Sequence, residues 1–404
     1  MKNLLSIALL SCALRALAAE TNNVSTLVDE ALRKNPELQF YEAEIAAAKA
    51  NRKTAGALAN PEVNGELGQK RVASAEGVAW AVSVMQPFEW PGRLGLRKAI
   101  ANRDIELAEL GLERFRVALA SRVRLTAYRV FGAQEKAKAA REVADRLQSL
   151  REVLVQRDPA GVTPLLETRV IEATDLTMQR KASESMLERQ SALLELNHLR
   201  GVSPTEPLVV GGGDIEFRPL DNVESLRAAA QTNNFELRTR VLEVAQSGLR
   251  ISLAKNERFP TWSVGPAYSE ERAGENERIL GMAISVPLPL WNRNSGNIAA
   301  ARAKQLQAET ALLVAQREID GKVAEAAGRY QAKFEEMGKW RADAIEHFRQ
   351  AAELADRHYR LGAVPATTYI ELQKQYLEAV EALLDTRKEA LDAWQELQLL
   401  TGKL

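Results

Sequence analysis

Two hydrophobic rhythms alternate along this chain. From Leu119 a seam steps by four and three residues through Val123, Thr126, Val130, Ala133, Ala137, Ala140, Ala144, Leu147, Arg151 and Leu154, with Thr126 and Arg151 its polar interruptions. A heptad held that long predicts helices packed side by side with the seam buried. The second half of the chain does the same: Val323, Tyr330, Met337, Ala344 and Ala351 step by seven, with Ala327, Phe334, Phe348 and Ala355 four residues behind. No proline or other strong breaker interrupts residues 93–157 or 294–360. Each predicts a single helix of about 65 residues, about 100 Å long at ~1.5 Å per residue.

Each long helix is flanked by two shorter ones, at residues 25–58 and 164–200, then 222–258 and 365–400. Thr163 followed by Pro164 reads as an N-cap with proline at the first helical position, and Asp221 with Glu224 as a capping box. The short helices together match the long one in length, so they are expected to stack end to end along it.

Helical periodicity stops at residues 61–90 and 260–291. Val78, Trp80, Val82 and Val84 alternate with Ala79, Ala81, Ser83 and Met85, while Leu280, Met282, Ile284 and Val286 alternate with Gly281, Ala283 and Ser285. Trp262, Val264 and Tyr268 alternate with Ser263, Gly265 and Ala267, and Val63 and Leu67 with Glu62, Asn64 and Glu66. One face is bulky and apolar, the other small or polar. Strands of about 8 to 10 residues with this pattern, joined by charged turns near residues 71–77 and 270–278, are the grammar of a lipid-facing β-barrel. Four strands cannot close a barrel, and open edges are not tolerated in lipid. Closure is therefore intermolecular: two chains would supply eight strands that side chains nearly fill, three would supply twelve and leave a lumen.

The two rhythms recur because the chain is duplicated. Asn35-Pro36-Glu37-Leu38 returns as Asn234-Phe235-Glu236-Leu237, and Asn60-Pro61 as Phe259-Pro260; Gln86-Pro87-Phe88 returns as Val286-Pro287-Leu288, and Gly161-Val162-Thr163-Pro164 as Gly362-Ala363-Val364-Pro365. These landmarks keep an offset of 199 to 201 residues, the mark of a repeated structural unit. The division expected is a leader at 1–19, a first repeat at 20–201, a linker at 202–221 and a second repeat at 222–404. The linker's Gly211-Gly212-Gly213 lacks the ending and preceding strand of a phosphate loop.

Composition removes several functions. Basic and acidic side chains number 54 each, and loss of Lys2 and Arg15 with the leader leaves a slight negative excess, so nothing steers the chain to nucleic acid. With 3 His and 1 Cys, no catalytic constellation can be assembled from these motifs, and no cofactor is implied. His347 and His358 share a helix face but stand roughly 16 Å apart along it, too far to hold one ion. Lys2, the apolar run from Leu4 to Leu14 and Ala16-Leu17-Ala18-Ala19 read as a secretory leader. Cys12 after Leu9-Leu10-Ser11 loosely matches a lipidation box, the alternative being a leader residue that is discarded. No later run is long enough for a transmembrane helix.

With Asn35-Pro36-Glu37-Leu38, Gln86-Pro87-Phe88-Glu89 followed by Gly92-Arg93, and Pro287-Leu288-Pro289-Leu290-Trp291-Asn292-Arg293-Asn294 followed by Gly296-Asn297-Ile298, the chain resembles the TolC-type outer-membrane efflux proteins. The last two motifs look most like the CzcC/CusC heavy-metal branch. The resemblance implies a mainly α fold with a small β part: duplicated long-helix hairpins forming a trimeric α-barrel tunnel in the periplasm, topped by a 12-stranded transmembrane β-barrel in the outer membrane. It implies a homotrimer set in outer-membrane lipid, with a periplasmic adaptor and an inner-membrane pump of the proton-driven RND type as partners. It places Gly161, Pro164, Gly362 and Pro365 at the tip turns met by adaptor hairpins, with Tyr359 and Arg360 in the gate network and Glu167 and Glu371 near an acidic constriction. Multidrug efflux or protein secretion shares this fold. A periplasmic adaptor or structural coiled coil would explain the helices and leader but not four lipid-patterned strands.

Overall fold

The computed structural model describes residues 23–72, 75–157, 165–211, 216–220, 222–340 and 344–402. In chain order the elements are α1 (Val24–Lys34), α2 (Glu37–Ala55), β1 (Glu62–Val72), β2 (Ala75–Phe88), α3 (Arg93–Arg157), α4 (Leu165–Arg200), α5 (Val223–Asn233), α6 (Phe235–Asn256), β3 (Trp262–Ala273), β4 (Glu275–Ser285), α7 (Ser295–Lys339), α8 (Ala344–Arg360) and α9 (Ala366–Thr401). They fall into two compact units.

The first unit comprises residues up to 38, 114–234 and 319 onward, and it is helical. One core packs Val24, Leu27, Val28 and Ala31 of α1 against Leu119, Val123, Ala127 and Val130 of α3 and Ala192, Leu196 and Leu199 of α4. A second joins Ala140, Ala144 and Leu147 of α3 to Ile171 and Met178 of α4, Ala352 and Ala355 of α8, and Tyr369, Ile370 and Leu377 of α9. The second predicted seam is buried at Val323, Ala327, Tyr330 and Ala355 but leaves Phe348 exposed; the first is buried from Leu119 to Leu147, and its small residues let backbones approach. Its two polar interruptions are accommodated: Thr126 is buried, and Arg151 lies 3.6 Å from the fully buried Asp175.

Local chemistry moves several predicted boundaries. The helix expected at 25–58 is two, α1 and α2, because Asn35 caps α1 in an extended conformation and Pro36 follows. Asn234 divides the helix expected at 222–258 in the same way. Asn222 caps α5, its side-chain oxygen accepting from the Glu224 amide at 3.0 Å, while Asp221 lies outside the described residues. The second long helix does not run unbroken over 294–360: α7 ends at Lys339, next to Gly338, a residue costing about 1 kcal/mol in a helix relative to alanine.

The duplication is visible as a repeated joint. Asn35 donates its side-chain amide to the Leu199 carbonyl at 2.9 Å, and Asn234 donates to the Leu400 carbonyl at 2.9 Å. Beside them Gly201 and Gly402 adopt φ of +69° and +65°. A Cβ on either would lie 2.5 Å from a carbonyl oxygen, of Lys34 or of Asn233. The ends of α1 and α4 therefore meet, as do those of α5 and α9. The linker contributes Leu208 and Val210 to the first core, and Asn197 holds its turn through the Pro204 and Glu206 carbonyls at 3.0 and 2.8 Å.

The second unit comprises residues 39–113 and 235–318. Its sheet is antiparallel in the order β1-β2-β3-β4. The strands run 11, 14, 12 and 11 residues, longer than expected. Pairing continues to Val72↔Ala75 and Ala273↔Glu275, so much of the sequence assigned to turns is strand. Gly274, at φ +88°, permits the second of these tight reversals.

Candidate functional site

The sheet separates chemistry by face, because successive side chains point to opposite sides. Pairing lines up Leu67, Trp80, Glu270 and Arg278 across the four strands, and Gly65, Val82, Tyr268 and Leu280 in the next row of the same face. Further rows carry Val63 beside Val84, Pro266 beside Met282, and Val264 beside Ile284. These apolar side chains are open to the surroundings: Leu67 is 82% exposed, Leu280 80% and Ile284 70%.

Aromatic pairs mark both ends of this band, Trp80 with Tyr268 at 5.3 Å and Phe88 with Trp262 at 4.9 Å. From Val78 to Phe88 the strand advances about 33 Å at ~3.3 Å per residue, which a tilt of about 40° reduces to about 25 Å, the height of the apolar band on outer-membrane barrels. At the turn end of the band Glu270 is buried, with Arg272 at 2.8 Å and Arg278 at 3.7 Å. Its charge is therefore paired where the apolar band ends.

The opposite face is small and acidic. Ala79, Glu271 and Glu277 form one row; Lys70 stands against Gly77 in the next, and its ammonium pairs with Glu271 and lies 3.4 Å from Glu277. Glu62 and Glu66 share this face with Ser83, Ala81 and Ser269, and Glu275 joins it beside Ala273. Five carboxylates thus face one ammonium. Glu62 and Glu66 were legible in the alternation. Glu271, Glu275 and Glu277 fall where the sequence predicts a turn, and the structure places them in strands instead.

Where strand becomes helix, the first repeat is clamped. Arg93 donates to the Asn256 side-chain oxygen and the Thr261 hydroxyl, both at 3.1 Å, and to the Phe259 carbonyl at 2.5 Å. Trp90 stacks on Phe259 with centroids 4.6 Å apart. Gly92, at φ +88°, turns the chain into α3. The second repeat has Asn294 here, at φ +60°, its amide donating to the Ala254 carbonyl at 2.8 Å.

Of the predicted tip residues, Gly161 and Pro164 lie outside the described residues, as does Cys12. Their second-repeat counterparts form a defined turn in the helical unit. Gly362, at φ +76°, and Ala363 donate to the Tyr359 and His358 carbonyls, both at 2.9 Å, which is a Schellman closure of α8. Pro365 is the N-cap of α9. Tyr359 stacks on Tyr369 at 5.3 Å, and Arg360 donates to Asp356 at 2.9 Å. Burial pushes the Tyr369 hydroxyl far above its ordinary value, with Asp356 acting in the same direction. Glu371 is exposed on α9 and accepts from Gln375 at 3.0 Å. Glu167 lies in α4, but its side chain is outside the described residues. Among the described residues no group of three or more His, Cys, Asp or Glu is placed to hold a metal ion, and no helix is long and apolar enough to cross a membrane.

Comparison with known proteins agrees with this geometry. The model of the family described as outer membrane efflux protein matches residues 27–202 and 226–403, one match per repeat. The nickel-cobalt-cadmium resistance protein NccC of Alcaligenes xylosoxydans xylosoxydans is 25% identical over 72% of this chain and 67% of its own. The pyoverdine export outer membrane protein OpmQ of Pseudomonas aeruginosa is 22% identical over 92% of this chain and 83% of its own. A crystal structure of CusC superposes with a TM-score of 0.75 at 16% identity, covering 95% of this chain and 93% of that one.

Proposed function

Since the chain belongs to the outer membrane efflux protein family, we propose that it is the outer-membrane channel subunit of a tripartite efflux system, a passive homotrimeric conduit that carries heavy-metal cations from a periplasmic adaptor and an inner-membrane pump to the exterior. The sheet carries this reading. Its bulky face suits lipid, its two edges β1 and β4 are free to pair with other copies, and three copies would close twelve strands around the small face. Phe40, Leu306 and Leu313, exposed at 67%, 65% and 61%, are further apolar side chains that assembly would cover.

The cargo follows from charge. Five carboxylates against one ammonium on the face turned to the lumen would triple in a trimer, and charged rings of one sign select ions of the other. Passage needs no tight site, since strong binding slows release. NccC is named for resistance to nickel, cobalt and cadmium, which agrees with cationic cargo. OpmQ is named for pyoverdine export and matches more of the chain, which favours a second reading as a conduit for organic solutes.

The tip turns are assigned to docking and gating: Gly161, Pro164, Gly362 and Pro365 to contact with adaptor hairpins, Tyr359 and Arg360 to the closed state. Glu167 and Glu371 would line an acidic constriction there. The test is planar-bilayer recording on the purified protein across a salt gradient. A trimer whose reversal potential favours cations supports the reading. A non-inserting monomer refutes the channel, and an anion-selective trimer refutes the metal-cation cargo. If Glu167→Gln and Glu371→Gln together leave selectivity unchanged, the constriction is elsewhere.

A further inference from the structure

We infer that Trp291 of one copy packs on the Leu58 segment of a second copy, repeating between chains the Trp90–Phe259 contact made within the chain; this rests on the homotrimeric reading above. The internal duplication supplies the template. β2 leaves the sheet at Phe88 and its chain continues to Trp90, while the chain reaches β3 through Phe259. Because β2 and β3 pair, the exit of one hairpin meets the entrance of the next, and Trp90 stacks on Phe259 at 4.6 Å.

Among the described residues, the second exit and the first entrance have no such neighbour within the chain. β4 continues through Leu288 and Leu290 to Trp291, exposed at 70%, 62% and 94%, while the segment entering β1 holds Leu58 at 69%. These two segments flank the two unpaired sheet edges, β4 and β1. When β4 of one copy pairs with β1 of another, exit meets entrance as it does inside the chain. Trp291 stands 201 residues after Trp90, and Asn60-Pro61 stands in the place of Phe259-Pro260. The apolar side chain available at that entrance is Leu58, two residues earlier.

The two joints differ in their polar part. Within the chain, the Arg93 guanidinium ties the exit to Asn256, Phe259 and Thr261. Asn294, 201 residues later, turns its amide to Ala254 of its own repeat at 2.8 Å. The guanidinium at the second exit, Arg293, stands 200 residues after Arg93 and is exposed.

The test pairs Trp291→Cys with Leu58→Cys in the full chain, treats detergent-solubilised outer membranes with a short bifunctional thiol crosslinker, and measures mass by light scattering before treatment. The expected result is a ladder of covalent dimers and trimers from the double variant, with each single variant giving none. Trimers by light scattering without the ladder overturn this contact and leave the channel reading intact; a monomer overturns both. As a second measurement, Trp291→Ala is expected to speed trimer dissociation in detergent at least tenfold. If dissociation is unchanged, and brominated phospholipid quenches emission that Trp291→Phe removes, the ring faces lipid and the inference fails.

Discussion

Gly201 and Gly362 share a backbone conformation but not a neighbourhood, and alanine at each separates the two costs. Their φ values are +69° and +76°, and a Cβ in that left-handed region costs roughly 1–2 kcal/mol. At Gly362 nothing lies within 4 Å of a built Cβ, so Gly362→Ala should cost about 1 kcal/mol and no more. At Gly201 the Cβ would fall 2.5 Å from the Lys34 carbonyl oxygen, against the 3.4 Å at which ordinary contact begins. That oxygen cannot swing aside as a side chain would, and the next residue, Asn35, is anchored to the Leu199 carbonyl. Overpacking of this kind adds about 1–3 kcal/mol, for a total of about 2–5 kcal/mol. Gly402→Ala should match Gly201→Ala, because Asn233 presents its carbonyl oxygen at the same 2.5 Å. Native-state hydrogen exchange over the last turns of α4, α8 and α9 reads these costs locally, each 1.4 kcal/mol being about tenfold in opening. Gly201→Ala and Gly402→Ala should open on the order of 100-fold more readily, and Gly362→Ala only about fivefold. Equal losses at all three sites would refute the steric argument.

Replacing Glu271 and Glu277 together by glutamine should lower cation preference in planar bilayers several-fold without loss of trimer, since their charge faces the small side of the sheet while the bulky face is untouched. Arg151→Met should destabilise the helical unit by about 3 kcal/mol in denaturant unfolding, the low end for a broken buried pair because Arg151 is itself partly in water. Adding Asp175→Asn should recover most of that loss, because the buried carboxylate 3.6 Å away is then no longer charged. Burial pushes the Tyr128 hydroxyl up to about 12, with Arg387 opposing and Asp385 adding to the shift. The folded value is raised, so Tyr128 contributes stability below the ordinary value of 10.0 that is lost as pH rises through about 12. Ultraviolet titration of Tyr128→Phe should lose one late-ionising phenol and flatten the alkaline fall in stability.

The helical seam was legible because its period is set by helix geometry alone. Val123, Val130 and Leu147 are buried wherever the neighbouring helices come from. The β alternation was legible for the same reason. What escaped depends on groups far apart in sequence. Asn35 and Asn234 stood out as repeat landmarks, yet their work is done on carbonyls 164 and 166 residues away. Gly201 and Gly402 recur at the ends of two helices, a signal present in the chain, but the oxygens that exclude a Cβ belong to Lys34 and Asn233. The acidic row at Glu271 and Glu277 was hidden by composition, since a charged run looks like a loop until the reversal is placed at Gly274. The helix break at Lys339 had a local signal in Gly338, outweighed by the long heptad around it.

The two copies of the repeat are the same plan with different polar hardware, and the difference follows from which joint each must make. The first copy's exit meets a segment of its own chain, at a concentration fixed by connectivity, and there a guanidinium can be desolvated once, during folding, against Asn256, Phe259 and Thr261. In the proposed trimer the second copy's exit meets another molecule. The guanidinium there, Arg293, is exposed, and closure would strip its water, a cost that imperfect pairing repays poorly. Trp291 carries no such penalty: an exposed aromatic gains from burial in proportion to its area. Asn294, meanwhile, satisfies its amide within its own repeat. In a trimer built this way, the exposed apolar surface at Trp291 and Leu58 would drive closure of the sheet.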